Sequence, residues 1–222
     1  MRILRSTICA PRGKRRFRAD LWENREGTAA LEFAIVGPAL IALLLAIMYT
    51  MLIYLAQQML ETTADTAGRL FLTGAAQTMT LSNGHVGMQA ADFKNAICNG
   101  VTGTDANGGT VVIPKLLPSM LTCSKLTVNV TTATTYNVNS TASPTFTYDS
   151  TGALTTNGAF NFQTNGSGKN HIVIMQLIYL WPAGKGPLGL NTTDEPNGNH
   201  KIVATSVFTT EDYSCSASQT SC

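Results

Sequence analysis

Polar and apolar positions follow three different patterns along the chain, and each pattern predicts its own kind of element. From Phe33 to Ala56 the sequence FAIVGPALIALLLAIMYTMLIYLA runs 24 residues without a charge. A helix of that length extends roughly 36 Å, enough to cross a bilayer. Beyond it, Ile53, Ala56, Leu60, Ala64, Ala67 and Phe71 recur at spacings of three and four, a single stripe that predicts a continuous helix to about Leu72. Gln57, Gln58, Glu61, Asp65 and Arg69 fall off the stripe. Asp65 and Arg69 attract at i,i+4 while Glu61 and Asp65 repel at the same spacing, so packing, and not charge, must hold this extension in place. Pro38 has no N–H for the carbonyl of Ala34, and a loosened turn is expected near Gly37-Pro38.

Further on, the period shortens to two. Leu126-Thr127-Val128-Asn129-Val130-Thr131 alternates apolar and polar and reads as a half-buried strand. Ile172 to Trp181 (IVIMQLIYLW) is almost continuously apolar, rich in β-branched and aromatic residues, and too short to span a membrane; it reads as a central buried strand ended by Pro182. A third strand is expected over Ile202–Phe208, after a Pro/Gly-containing loop from Pro182 to Gly198, and a short helix ends at Asn99-Gly100. Residues 127–168 are the most biased part of the chain: 12 Thr, 6 Asn, 4 Ser and 4 Gly make 26 of 42, with Asp149 the one charge. Turn signals at Asp149-Ser150-Thr151-Gly152 and Asn157-Gly158 between short apolar pairs predict a polar hairpin insertion here. A long helix followed by strands predicts an α+β fold, an N-terminal transmembrane helix extended beyond the membrane and packed on an antiparallel sheet.

Charge changes the picture at the N-terminus. The formal net charge of +2 hides an asymmetry: residues 1–27 hold eight Lys/Arg and three acids, 8 − 3 = +5, which leaves 7 − 10 = −3 for the rest. A basic excess confined to a short arm excludes a nucleic-acid-binding surface and reads as a topogenic flank, which keeps the N-terminus cytoplasmic and residues 57–222 across the membrane. A secretory signal peptide has an apolar stretch of 7–15 residues followed by a small-residue cut site. This run is longer, and the sequence after it, QQMLETTADTAGRL, continues a helix. Glu32, at the mouth of the run, is out of place in a plain anchor. A carboxylate entering hydrocarbon costs a few kcal/mol unless a cation meets it, and the new α-amino group of Thr28, created by a cut after Gly27, is such a cation four residues away.

These residues carry a resemblance. A basic leader ending in Gly27, small residues, Glu32 at the fifth position after that glycine, an aromatic next and then an apolar helix is similar to a type IV prepilin-class substrate. More narrowly, Arg25-Glu26-Gly27-Thr28-Ala29-Ala30-Leu31-Glu32-Phe33-Ala34-Ile35-Val36 with Pro38 resembles the signature of the TadE/TadG-like proteins of the tight-adherence (Flp) pilus system. Phe33 stands where the motif often has Tyr. The resemblance is strong over Arg25–Leu72 and looser through Phe93-x3-Ile97-Cys98 and Cys123-Ser124-x-Leu126-Thr127-Val128. It implies a non-enzymatic minor pseudopilin with a pilin-like N-terminal helix, cut by a prepilin peptidase between Gly27 and Thr28, and assisting pilus assembly. Glu32 and Phe33 would act in assembly, and the partners would be the peptidase, other pilins or pseudopilins and inner-membrane assembly components. The implied division is a cleaved cytoplasmic leader over 1–27, a transmembrane helix over 28–56 and a periplasmic α+β domain over 57–222, single-pass in a bacterial inner membrane. The alternative class is an uncleaved, signal-anchored periplasmic binding or enzyme domain.

Cys9 lies in the leader, and Cys98, Cys123, Cys215 and Cys222 fall on the oxidising side, where four cysteines allow three pairings. Proximity in the chain, the helix end at Asn99-Gly100 and the family resemblance favour Cys98 with Cys123, leaving Cys215 with Cys222. No Cys-x-x-Cys occurs, and His85, His171 and His200 lie far from one another, so neither a metal nor a cofactor is expected. No catalytic motif emerges: Gly-x-Ser-x-Gly and His-Glu-x-x-His are absent, and Gly166-Ser167-Gly168-Lys169 lacks the upstream glycine and following hydroxyl of a phosphate loop.

Overall fold

The protein was analysed as a computed structural model that describes residues 27–133, 147–148, 159, 172–184, 189–195 and 197–209. Residues 1–26, the expected leader but for Gly27, most of the expected hairpin insertion, and Cys215 and Cys222 lie outside the described residues. The chain divides into two compact units, residues 1–45 and 46–222. Helix α1, Thr28–Leu72, contributes to both.

In the first unit α1 is apolar on every side and uncovered: Leu31, Ile35, Val36, Leu40, Ile41 and Leu43 are all exposed. The helix assignment continues through Pro38. A helix that is hydrophobic all round and unburied needs an apolar surrounding medium. Among the described residues α1 alone is long and apolar enough to cross a membrane, and it is compatible with a single-pass membrane anchor.

In the second unit the rest of α1 becomes one-sided. Ala56, Leu60, Ala64, Ala67 and Phe71 are fully buried, while Gln58, Glu61, Asp65 and Arg69 stay exposed. The periodicity of about 3.6 residues is therefore realised as a packed stripe. After a left-handed turn at Gly74 come a short helix α2, Ala75–Thr78, strand β1, Thr80–Leu81, helix α3, Ala90–Asn99, and strands β2, Val101–Thr104, and β3, Thr110–Ile113. A 3-10 turn over Cys123–Lys125 leads into β4, Leu126–Ala133, followed by β5, Ile172–Trp181, and β6, His200–Thr209.

The strands form two antiparallel three-stranded sheets, ordered β1-β2-β3 and β4-β5-β6. The larger one places β5 in the centre, with Val128 opposite Leu177 and Leu177 opposite Ala204. That row, with Met175, Tyr179 and Ile202, forms the core under α1. Gly68 lets helix and sheet approach closely: a Cβ there would lie 3.3 Å from both the Phe208 ring and Ser206 Oγ. Phe71 fills the adjoining space, its ring centroid 4.8 Å from that of Phe93 on α3 and 5.7 Å from that of Phe208 on β6.

Two features depart from the sequence pattern. The pattern predicts one sheet, but a second exists because its strands are only two to four residues long and carry Thr and Gly where alternation would show. Its β2–β3 hairpin is held by side-chain chemistry: Asp105 Oδ1 accepts from the N–H groups of Asn107 (2.9 Å) and Gly109 (2.7 Å). Strand β4 is also buried more deeply than an alternating strand implies. Asn129, on the face turned away from α1, is 5% exposed; its amide donates to Gln176 Oε1 at 3.0 Å and its Oδ1 accepts from the Ala159 N–H at 2.8 Å. The two amides satisfy each other where water is excluded.

Candidate functional site

Gly27 sits in a 3-10 position immediately before α1, exposed, and a Cβ built on it would meet nothing within 4 Å. The peptide bond to Thr28 is thus sterically open at the point where regular helix begins. Thr28, Glu32 and Phe33 are all exposed, Phe33 to 75%. Because the segment is helical, Thr28 and Glu32 stand one turn apart on the same face. Among the described residues nothing bonds to the Glu32 carboxylate. The Phe33 ring lies beside Gly37, 3.6 Å from where a Cβ would project. A free α-amino group on Thr28 would come within a turn of Glu32 in the same chain, and the exposure of Glu32 leaves it equally open to the amino group of another chain.

Farther along, within the second unit, α1 is tied to the larger sheet. The Tyr49 hydroxyl donates to the Ala183 carbonyl just past the end of β5, and Thr192 Oγ1 lies 3.5 Å from the same hydroxyl. Two turns on, Gln57 Nε2 donates to the Val203 carbonyl of β6 at 3.2 Å and to Glu61 at 2.6 Å. The amide of Gln57 thereby occupies an outward acceptor of an edge strand. Sequence reasoning missed Tyr49, whose partner lies 134 residues away and leaves no local signal.

Cys98 and Cys123 form a disulfide with a Cα–Cα distance of 5.7 Å, closing a separation of 25 residues. Cys98 is buried in the last turn of α3, between β1 and β2 in the chain, and Cys123 opens the turn into β4, so the bridge ties the helix inserted in the smaller sheet to the start of the larger one. Gly100 ends α3 with φ 78, and its N–H donates to the Ala96 carbonyl at 3.0 Å. The disulfide and the Gly27–Phe33 segment are separate features of the chain.

Charged groups cluster at the end of the larger sheet where β5 leaves and β6 enters. Lys201 Nζ lies 2.8 Å from Glu195 Oε1, whose side chain is 9% exposed, and His200 Nδ1 lies 3.3 Å from Asp194 Oδ2. Burial alone would raise the Glu195 carboxyl, but hydrogen bonding from Lys201 and Tyr148 and the Lys201 charge outweigh it and hold the group below its usual range. Burial, together with the Glu195 and Asp194 carboxylates, pushes the Tyr148 hydroxyl up. On α3, burial lowers the Lys94 ammonium. Among the described residues, no group of three or more His, Cys, Asp or Glu side chains is placed to hold a metal ion.

No curated protein and no solved structure matches the chain. Residues 27–69, which run from the exposed glycine through the lipid-like half of α1 and most of its buried stripe, match the family described as TadE-like protein. Over this segment, and not beyond it, the chain is similar to the TadE-like family.

Proposed function

We propose that the protein is a minor pseudopilin that assists assembly of a tight-adherence pilus. In this reading a prepilin peptidase cuts between Gly27 and Thr28, α1 stays in the inner membrane with its N-terminus on the cytoplasmic side, and the domain from residue 57 lies in the periplasm. The observation that carries the proposal is the TadE-like match, which starts at Gly27, the open glycine before the helix, and spans Glu32. The apolar girth of α1 supports a membrane anchor, and the charge-free run from Phe33 to Ala56 exceeds the roughly twenty residues that a hydrocarbon core requires.

Glu32 would serve as the assembly contact. Left alone near the edge of the hydrocarbon, its carboxylate costs on the order of 1–3 kcal/mol, and pairing with a mature amino terminus offsets that cost. The interaction is available only after the cut, so processing and assembly become linked steps. Pilins, other pseudopilins and the inner-membrane assembly components are the partners this chemistry fits. The role is non-enzymatic.

Two substitutions test the reading in the native host. Gly27→Ala puts a methyl group beside the scissile bond without disturbing any packed neighbour, and it should leave the chain at its full length. Glu32→Gln should leave membrane insertion and cleavage intact and reduce surface pili. A chain of full length both with and without Gly27→Ala, together with normal piliation in the second variant, would instead indicate an uncleaved, signal-anchored domain.

A further inference from the structure

The β5–β6 end of the larger sheet has a position relative to α1 that two independent contacts fix. Strand β6 runs alongside α1, with Val203 bonded to Gln57, and Ser206 and Phe208 beside Gly68. From Val203 back to His200, which pairs with Trp181, is three residues, about 10 Å of strand or roughly seven residues of helix. That puts Trp181 level with about residue 50 of α1. The bond from Tyr49 to Ala183 arrives at the same level from the other side of the connection.

At this level α1 is still unburied and apolar: Met48, Met51, Tyr54 and Leu55 are 59%, 61%, 67% and 41% exposed. Polar residues take over its outer face only from Gln57 and Gln58 onward. If the apolar girth of α1 is covered by lipid, the bilayer interface reaches the height of the β5–β6 connection. The connection suits that location. Leu190 is 39% exposed, Trp181 is half-buried, Asn191, Thr192 and Thr193 are polar but uncharged, and the carboxylates that follow, Asp194 and Glu195, face His200 and Lys201. Trp and Tyr favour the headgroup region, where an apolar ring body and a polar tip are both accommodated.

We propose that Trp181 and the described segment around Leu190 dock on the membrane surface, with Leu190 and Trp181 seated in the headgroup layer of the leaflet from which α1 emerges. The lipid surface is thus a second contact of the domain, continuous with the span and distinct from it. It fixes the rotation of the sheet about the helix axis, because Tyr49 ties the helix to the connection while lipid holds Leu190. The inference rests on the reading that α1 spans a membrane.

The test uses the full chain reconstituted in phospholipid vesicles whose acyl chains are brominated near the headgroup, with tryptophan fluorescence as the readout. The native tryptophans are Trp22 and Trp181, so W22F leaves Trp181 as the sole reporter. W22F/W181F then carries single reporters at Leu43→Trp in the span, Leu190→Trp in the connection and Val112→Trp on β3. Val112 is 65% exposed and lies beyond the C-terminal end of α1 in the chain. The expected result is loss of intensity for Trp181, L43W and L190W, and none for V112W. Quenching of L43W with Trp181 and L190W as bright as V112W overturns the docking and leaves the span standing. An unquenched L43W overturns the span and the docking with it. Quenching of V112W equal to that of L190W also overturns the proposal, since the contact would then not belong to this connection.

Discussion

Phe71→Ala is the most informative single perturbation of the helix-on-sheet packing. Phe71 is fully buried at the point where α1, α3 and β6 converge, with ring partners Phe93 and Phe208 at 4.8 and 5.7 Å. Removing most of the roughly 150–200 Å² that such a ring buries costs about 3–4 kcal/mol at about 25 cal/mol per Å². Two lost aromatic pairs add about 1 kcal/mol, for a total near 4–5 kcal/mol, in the range of measured Phe→Ala changes in cores. A loss of that size takes most of the stability of an ordinary domain. Urea titration of the full-length chain in detergent micelles, read by Trp181 fluorescence in the W22F background, measures it. Phe71→Leu keeps much of the volume and should recover more than half of the loss. A double-mutant cycle of Phe71→Leu with Phe208→Leu should show coupling of about 0.5–1.5 kcal/mol. A Phe71→Ala loss below about 1 kcal/mol, or a coupling near zero, would refute the docking of α1 on β6.

The remaining predictions address other supports of the fold. Replacing Cys98 and Cys123 by Ala reopens a loop of 25 residues and should lower the unfolding free energy by about 3–4 kcal/mol, checked by the same titration with and without reductant. Gly68→Leu forces a large side chain against Phe208 and Ser206 and should cost about 1–3 kcal/mol, whereas Gly68→Ala, offset by its helix propensity, should stay within about 1 kcal/mol of the parent. Glu195 has its folded pKa depressed by Lys201 and Tyr148, so its contribution is present above the unfolded value of about 4.3 and is lost as pH falls through the lower folded value. Urea midpoints measured between about pH 5 and pH 2 should therefore fall less steeply for Glu195→Gln than for the parent chain.

The elements with a strong period were legible before any coordinates. The stripe from Ala56 to Phe71 is long enough for a 3.6-residue repeat to stand out, and it is buried as one face. Strand β5 reads as a continuous apolar run because both of its faces are covered, which the burial of Ile172 through Leu180 shows. The smaller sheet was not legible because a four-residue strand such as Val101-Thr-Gly-Thr offers too few positions for alternation to register. Asn129 was misleading for a different reason: a polar residue at an outward position reads as solvated, and only a partner 47 residues away, Gln176, makes its burial tolerable. The Gly27–Phe33 segment was legible as a motif, since its spacing is local. The tie from Tyr49 to Ala183, which sets where the domain meets the helix, depends wholly on tertiary proximity.

The mature amino terminus tests the central claim most directly. Intact-mass and N-terminal sequence analysis of the protein purified from the membranes of its native host should find a chain of 222 − 27 = 195 residues beginning at Thr28, freed of the +5 leader. A chain that begins at Met1 would contradict the pseudopilin account, because without the cut no amino terminus exists at Thr28 for Glu32 to meet.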